Sequence, residues 1–530
     1  MYVPLVLTTF LDRAAELYGG KTAAVDGERT VTYGELQYRV NQLSNGLKAL
    51  NIKKGDKVAY LSPNAVEMLE GFYGVYQLGA VMTPLNTRLT AEDYEFILNH
   101  SESKVLFADK TLFKQLEPIL GNLTSIETII LHGEEADTKT AIGYENWLSG
   151  FDGKWFDRVE VDEHDIASLL YTSGTTGNPK GVLLTHRSNY LHALSTMHHL
   201  RIRENDKMLH VLPMFHVNGW GSPFYYTANG VTQVMQRKID PESIFNNIKK
   251  HKISILHMAP TVLNMLLEYY HLHKEECRMD HHVRIVVAGS APPPAFIEMT
   301  ENELGWEFIH VYGMTEISPL VTTSQITSND EHLPVKEQQR LKSKTGYSLI
   351  GSEVKVVNEA YEEVEKNGTA VGEIVVRSNN VMEGYFKNPE ATAETIQHGW
   401  LHTGDMAVVF DNGYIEIVDR KKDVIISGGE NISSIEVEGY LYQHPDIVET
   451  AVVALPHEKW GEIPHAVVVK REGSSLTEED VIAYAREKMA HFKAPKSINF
   501  VKELPKTASG KIQKVQLRKQ LWNDSDKLVN

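Results

Sequence analysis

Apolar and polar positions along the first 350 residues alternate between two kinds of run. Asn64 to Leu78, after Ser62-Pro63, reads as a buried helix ending near Gly79, and Val81 to Leu85 as a short strand. Thr90-Ala91-Glu92-Asp93 opens another helix with a capping-box pattern, and Lys104 to Ala108 is again a strand. This repeated order predicts an α/β class, with layers over a mostly parallel sheet. No fixed-period repeat and no low-complexity tract is present.

The character changes after about residue 350. Gly351 to Val357, Gly372 to Arg377 and Gly413 to Asp419 are short strands separated by turns containing Gly, Asn and Asp. The polar run Asp419-Arg420-Lys421-Lys422-Asp423 follows. Beyond it the pattern predicts a small α+β unit: strands Thr450 to Leu455, His465 to Val469 and Ile498 to Val501, and a helix Glu478 to Met489 capped by Thr477 with Asp480. The boundaries are therefore a large domain over 1–418, a linker over 419–422 and a small domain over 423–530. The last is roughly 110 residues, an ordinary domain size.

Composition narrows the classes. The 530 residues carry 53 Lys and Arg against 70 Asp and Glu, a formal net charge of −17. That balance disfavours nucleic acid or an anionic membrane as the main partner, while allowing a local basic site. The single cysteine, Cys277, excludes an internal disulfide framework and a multi-cysteine metal site, and points to a reducing, cytoplasmic compartment. Met1 to Phe10 lacks the basic start of an export signal, and the uncharged stretch Gly71 to Thr87 falls short of a membrane span. Lys527 to Asn530 match no lipidation or sorting tail. The paired histidines His198-His199 and His281-His282 show no metal-ligand spacing.

Candidate chemistry begins at Tyr171-Thr172-Ser173-Gly174-Thr175-Thr176-Gly177-Asn178-Pro179-Lys180-Gly181. Glycines let backbone approach an anion, and hydroxyls with a lysine supply donors and charge, as a polyphosphate requires. Apolar strands, Ile166 to Leu170 and Val182 to Leu184, bracket the loop. It is not a Walker loop, because Lys180 is followed by Gly181 and a β-type run instead of Ser or Thr entering a helix.

This stretch resembles the signature of the adenylate-forming enzymes: acyl-CoA synthetases, peptide-synthetase adenylation domains and beetle luciferases. Six further motifs follow in the family's order: Leu212-Pro213-Met214-Phe215-His216, Ala288-Gly289-Ser290-Ala291-Pro292, Tyr312-Gly313-Met314-Thr315-Glu316, Thr403-Gly404-Asp405, Asp419-Arg420-Lys421-Lys422-Asp423 and Pro505-Lys506-Thr507-Ala508-Ser509-Gly510-Lys511. The resemblance implies layered α/β sheets plus a distorted β-barrel in the large domain, a mobile small domain, and the substrates and cofactors ATP, Mg²⁺ and coenzyme A.

Its residue roles carry over by motif. Thr172 to Gly177, Lys180, Gly289, Ser290, Ala291, Tyr312, Gly313 and Thr315 would hold ATP or AMP, with Tyr312 stacked on adenine and Thr315 at the α-phosphate. Asp405 would bind the ribose hydroxyls and Arg420 the ribose or phosphate. Glu316, a hard oxygen donor, would bind Mg²⁺. Lys511 would stabilise the charge where carboxylate meets α-phosphate. Lys422 sits at the family's hinge position. His216 borders the carboxylate, with Trp220 and Gly313 along the acyl pocket. Gly428, Gly429 and Glu430 resemble the pantetheine tunnel, and Trp460, Phe492 and Lys496 fall where CoA nucleotide is held in aryl-CoA ligases.

No carrier domain follows the small unit, so free CoA is the expected acceptor. Val217 to Phe224 has no carboxylate to hold an ammonium group, which disfavours amino acids. The expectation is a ligase for medium- or long-chain fatty acids. The alternatives are a ligase for aromatic or short and branched acids, a nucleotide-binding regulator without catalysis, and a light-emitting oxygenase. The intact Lys180, Glu316, Asp405 and Lys511 set argues against the regulator. A homodimer is expected by analogy only.

Overall fold

The computed structural model of the chain describes residues 1–133, 141–172, 179–457, 459–507 and 510–528. The helix expected after Ser62-Pro63 is Val66–Tyr76, and every residue in it is buried. Its two glutamates are paired with arginines, Glu67 with Arg29 at 2.6 Å and Glu70 with Arg39 at 2.5 Å. A carboxylate taken out of water needs such a partner. The helix starts two residues late because the Asn64 amide is engaged elsewhere: it donates to the carbonyls of His210 and Leu212 and accepts from the Met214 amide at 2.7 Å.

With Tyr33–Ala49, this helix forms a layer between two sheets. The main core runs from Val58, Met82 and Val105 on one sheet, through Leu43, Phe72 and Tyr76, to Met208, Ile255 and Val286 on the other. Among the described residues the first sheet has eight strands and the second nine. Their inner strands are parallel; antiparallel strands close both edges of the second sheet and one edge of the first, whose other edge, Ile142–Gly143, pairs parallel. Outer helices complete the layers, Ala91–Ser101 over the first sheet and Pro241–His251, Pro260–Leu272 and Pro294–Asn302 over the second. The capping box at Thr90 and Asp93 is formed.

A third sheet occupies the region expected as a distorted barrel. It joins Ser352–Val357, Gly372–Ser378, Trp400–Val409, Ile396–Gln397 and Ile415–Arg420 in antiparallel pairs around Val356, Ile374 and Leu401. The last of these strands ends at Arg420, and the next sheet begins at Ile425. That sheet belongs to the small α+β unit. Its strands Ile447–His457 and Gly461–Lys470 are longer than the apolar pattern predicts, because a continuous antiparallel ladder carries them past Pro464. The capping box of Thr477 and Asp480 is formed here too. Among the described residues no helix is long and apolar enough to cross a membrane.

Candidate active site

Four neighbouring parallel strands, Lys207–His210, Ile255–Met258, Arg284–Val287 and Glu307–Gly313, end on the same edge of the nine-stranded sheet. Carboxyl ends of parallel strands are where α/β sheets form ligand sites. Here they open onto a cavity of about 1410 Å³ between the large and small domains. The segments following them bring in His216, Thr261, Gly289, Ser290, Ala291, Gly313, Thr315 and Glu316. From the other sheet comes the hairpin Ile166–Thr172 and Lys180–Thr185, in register Thr172 to Lys180, so both of these reach the cavity. Ser173, Gly174, Thr175, Thr176 and Gly177 lie outside the described residues. Eight lysines and arginines line the cavity against six carboxylates, a local positive balance in an acidic chain that suits a polyphosphate.

Antiparallel pairing brings together the two residues expected at the ribose. Strands Trp400–Val409 and Ile415–Arg420 set Asp405 directly opposite Arg420, with Arg420 Nε 3.5 Å from Asp405 Oδ1. The Tyr312 hydroxyl donates to Asp405 Oδ2 at 2.7 Å. Burial, reinforced by that carboxylate, pushes the phenol upward, so it remains a donor and fixes Asp405. Tyr312 therefore has a structural partner besides its expected adenine contact.

Glu316 sits in a short turn, Thr315–Ile317, and is buried. One carboxylate oxygen, Oε1, accepts from the Tyr385 hydroxyl at 2.8 Å. Lys180 Nζ lies 4.9 Å from the Tyr385 ring centre. Burial raises the Glu316 carboxyl, a shift that a cation would reverse. Among the described residues no group of three His, Cys, Asp or Glu converges on one point. A single anchored carboxylate fits Mg²⁺, which takes one or two carboxylates and completes its shell with phosphates and water. Tyr385 was not among the residues the sequence singled out. Its place depends on edge pairing of Gly384–Tyr385 with the strand Lys180–Thr185, Tyr385 opposite Val182.

Lys511 enters from the small domain. Burial, with repulsion from Arg420, lowers its ammonium to about 7, while Asp405 acts in the opposite sense. Anionic phosphates arriving beside it would restore the proton. His216 is held near 4 by burial and by Lys511, and is therefore neutral.

The segment expected at the acyl group is built on strained backbone. Val217, Asn218, Gly219, Trp220 and Gly221 all have φ between +48° and +76°, a left-handed turn. Such a conformation costs roughly 1–2 kcal/mol per non-glycine residue. The Asn218 amide holds it, donating to Ser168 Oγ at 3.1 Å and Asn189 Oδ1 at 3.2 Å. Asn64, by accepting from the Met214 amide, fixes the approach. The turn lays Trp220, only 5% exposed, against His257 with ring centres 5.7 Å apart, and behind it His257 Nε2 pairs with the Tyr226 hydroxyl at 2.9 Å. Trp220 is thus both packed and cavity-lining.

Lys422 also lines the cavity, and its carbonyl accepts from Arg518 Nη1 at 3.0 Å. The six residues expected at CoA do not reach the cavity in this arrangement. Gly429, Glu430, Trp460, Phe492 and Lys496 are exposed on the small domain, and Gly428 lies against the Trp460 ring.

The AMP-binding enzyme family matches residues 11–386, and the AMP-binding enzyme C-terminal domain matches residues 436–511. The chain belongs to the AMP-binding enzyme family. It is an adenylate-forming enzyme of the acyl-CoA synthetase branch, AMP-forming, and uses ATP, Mg²⁺ and CoA. The peroxisomal benzoate–CoA ligase of Arabidopsis thaliana is 38% identical, over 97% of this chain and 93% of the relative. The peroxisomal butyrate–CoA ligase of the same plant is 39% identical, with the same coverage. Among solved structures, an anthranilate CoA ligase holding anthranoyl-AMP superposes with a TM-score of 0.89 at 26% identity, covering 99% of both chains. These relatives are named for aromatic and short-chain acids, so the expectation of a medium- or long-chain fatty acid is not the reading they favour.

Proposed function

We propose that the chain is an acid–CoA ligase acting on aromatic or short and branched carboxylic acids. The observation that carries this is the Trp220 wall: a left-handed turn lays the tryptophan against His257 on the cavity lining, where it would limit the depth open to an acyl chain. The named relatives lend support. An acid lying between His216 and Trp220 directs its carboxylate toward Lys511. The carboxylate oxygen attacks the α-phosphorus of ATP, the bond to the β-phosphate oxygen breaks, and pyrophosphate leaves. Lys511 and Thr315 balance the charge that builds at the α-phosphate. Asp405 and Arg420 orient the ribose, and Lys180 holds the phosphate tail. Glu316 would hold Mg²⁺, which supplies charge neutralisation on those phosphates when bound. Neutral His216 borders the acid without adding charge.

In the second half-reaction the CoA thiol attacks the acyl carbon, and AMP leaves with its phosphate. The attack needs a different approach, which Lys511 at the α-phosphate would obstruct. A rotation of the small domain at Lys422 would withdraw Lys511 and bring Gly428, Gly429 and Glu430 to the cavity, with Trp460, Phe492 and Lys496 toward the CoA nucleotide. The domain boundary at 419–422 follows from the same reading. Cys277, buried and free, fits a reducing compartment, either cytoplasm or the peroxisome of the relatives; localisation of the tagged chain separates the two.

Pyrophosphate release with benzoate, cinnamate, butyrate, 2-methylpropanoate and palmitate tests the substrate reading. Benzoate or a short acid should exceed palmitate in kcat/KM by at least tenfold. A preference for palmitate would overturn it.

A further inference from the structure

We propose that one face of helix Pro260–Leu272 is the latch that holds the small domain in its adenylating position, with the Glu268–Arg471 pair as positioning residues for Lys511. The helix buries Val262, Leu263, Leu266 and Leu267 in the large-domain core. Thr261, Asn264 and Glu268 lie three and seven residues apart, the spacing of one helical face. Each touches a different segment of the small domain. Thr261 Oγ1 donates to the Gly510 carbonyl at 2.7 Å, and Asn264 Nδ2 to the Val448 carbonyl at 3.0 Å. Arg471 grips Glu268 through both ends of its guanidinium, Nη1 to Oε2 at 2.6 Å and Nη2 to Oε1 at 3.1 Å.

The first contact acts directly on catalysis. Gly510, at φ +87°, comes so close that an added Cβ would lie 2.5 Å from Thr261 Oγ1, and the next residue is Lys511. Backbone pinned at Gly510 sets where the lysine enters the cavity. The outermost contact acts through the domain as a whole. Glu268 and Arg471 are outside the cavity lining and half-exposed, so their pairing is weak and screened. Weakness is what an alternating domain needs: a latch must favour one arrangement without trapping it, because a population shifts only by its differential free energy. The latch rests on the reading that the small domain moves between the two half-reactions.

The test compares Glu268→Arg, Arg471→Glu and the double exchange in the full chain. Adenylation is measured as ATP–pyrophosphate exchange without CoA, using the best acid of the panel. Thioester formation is measured from the supplied acyl adenylate plus CoA. Each single variant should lower exchange about three- to fivefold, the scale of an exposed ion pair, while thioester formation holds or rises. The double exchange should restore the ratio. Unchanged rates of both half-reactions in both single variants, or no restoration in the double, would overturn the latch. Equal loss of both half-reactions in folded single variants would instead overturn the alternation on which it rests.

Discussion

The acyl wall and the Lys511 loop face each other across one cavity and are held in opposite ways. The wall is buried, strained and tied from several sides: Asn218 to Ser168 and Asn189, Trp220 to His257, His257 to Tyr226. Lys511 is carried by a domain that, among the described residues, meets the helix Pro260–Leu272 through two hydrogen bonds and a half-exposed ion pair, with Tyr442 packed on the core beneath. Strain persists only where its surroundings over-determine it, so the wall suits a choice of acid that stays constant through the cycle. The loop suits a charge that must be present for one half-reaction and absent for the other. On the proposed function, selectivity and timing would fall to parts of different rigidity.

The sharpest way to break the comparison is Lys511→Ala. It should lower adenylation by about 10³-fold, on the scale of removing a preorganised charge-stabilising group, yet spare thioester formation from supplied adenylate. Loss of both in equal measure would show the loop acting in both steps. Glu316→Gln keeps the Tyr385 contact but removes the charge. Adenylation should drop about 10²-fold and the Mg²⁺ titration should move to higher concentration; superimposable titrations would remove Glu316 as the metal ligand. Trp220→Ala tests the rigid side. The ratio of palmitate to butyrate kcat/KM should rise about tenfold or more, at a stability cost of ~3–5 kcal/mol, with the KM for ATP little changed. An unaltered acid profile in the folded variant would make Trp220 a packing residue alone.

The smallest effect is in pH. Lys511 is lowered to about 7, so the free enzyme loses the ammonium as pH rises through that value. The kcat/KM for adenylation should fall by about tenfold per unit on the alkaline side, whereas kcat, measured with phosphates bound, should stay level to higher pH. A kcat/KM profile flat from pH 6 to 9 would contradict the buried, Arg420-facing position of the lysine.

Much of this was legible in the chain. The phosphate hairpin, the short strands after 350 and the capping boxes at Thr90 and Thr477 are local: the partners lie within a few residues, and the pairing follows from adjacency. The ordered motifs likewise named Lys180, Glu316, Asp405 and Lys511, because each carries its chemistry in a short run. Nothing local revealed Tyr385, which reaches Glu316 across 69 positions, or the contact of Tyr312 with Asp405 across 93. The backbone of Val217–Gly221 was also unreadable, since valine and tryptophan disfavour positive φ and only the surrounding hydrogen bonds impose it.

The sequence by itself determined the class of fold and the family, since these depend on periodicity and on residue types in short motifs. Only the tertiary structure decided which groups are neutral, which are fixed and which are free to leave. His216 is discharged by burial and by a lysine from the other domain, and Gly510 meets Thr261 across 249 positions. Protonation and rigidity are set by what surrounds a side chain in space, and that is known only when the chain has folded back on itself.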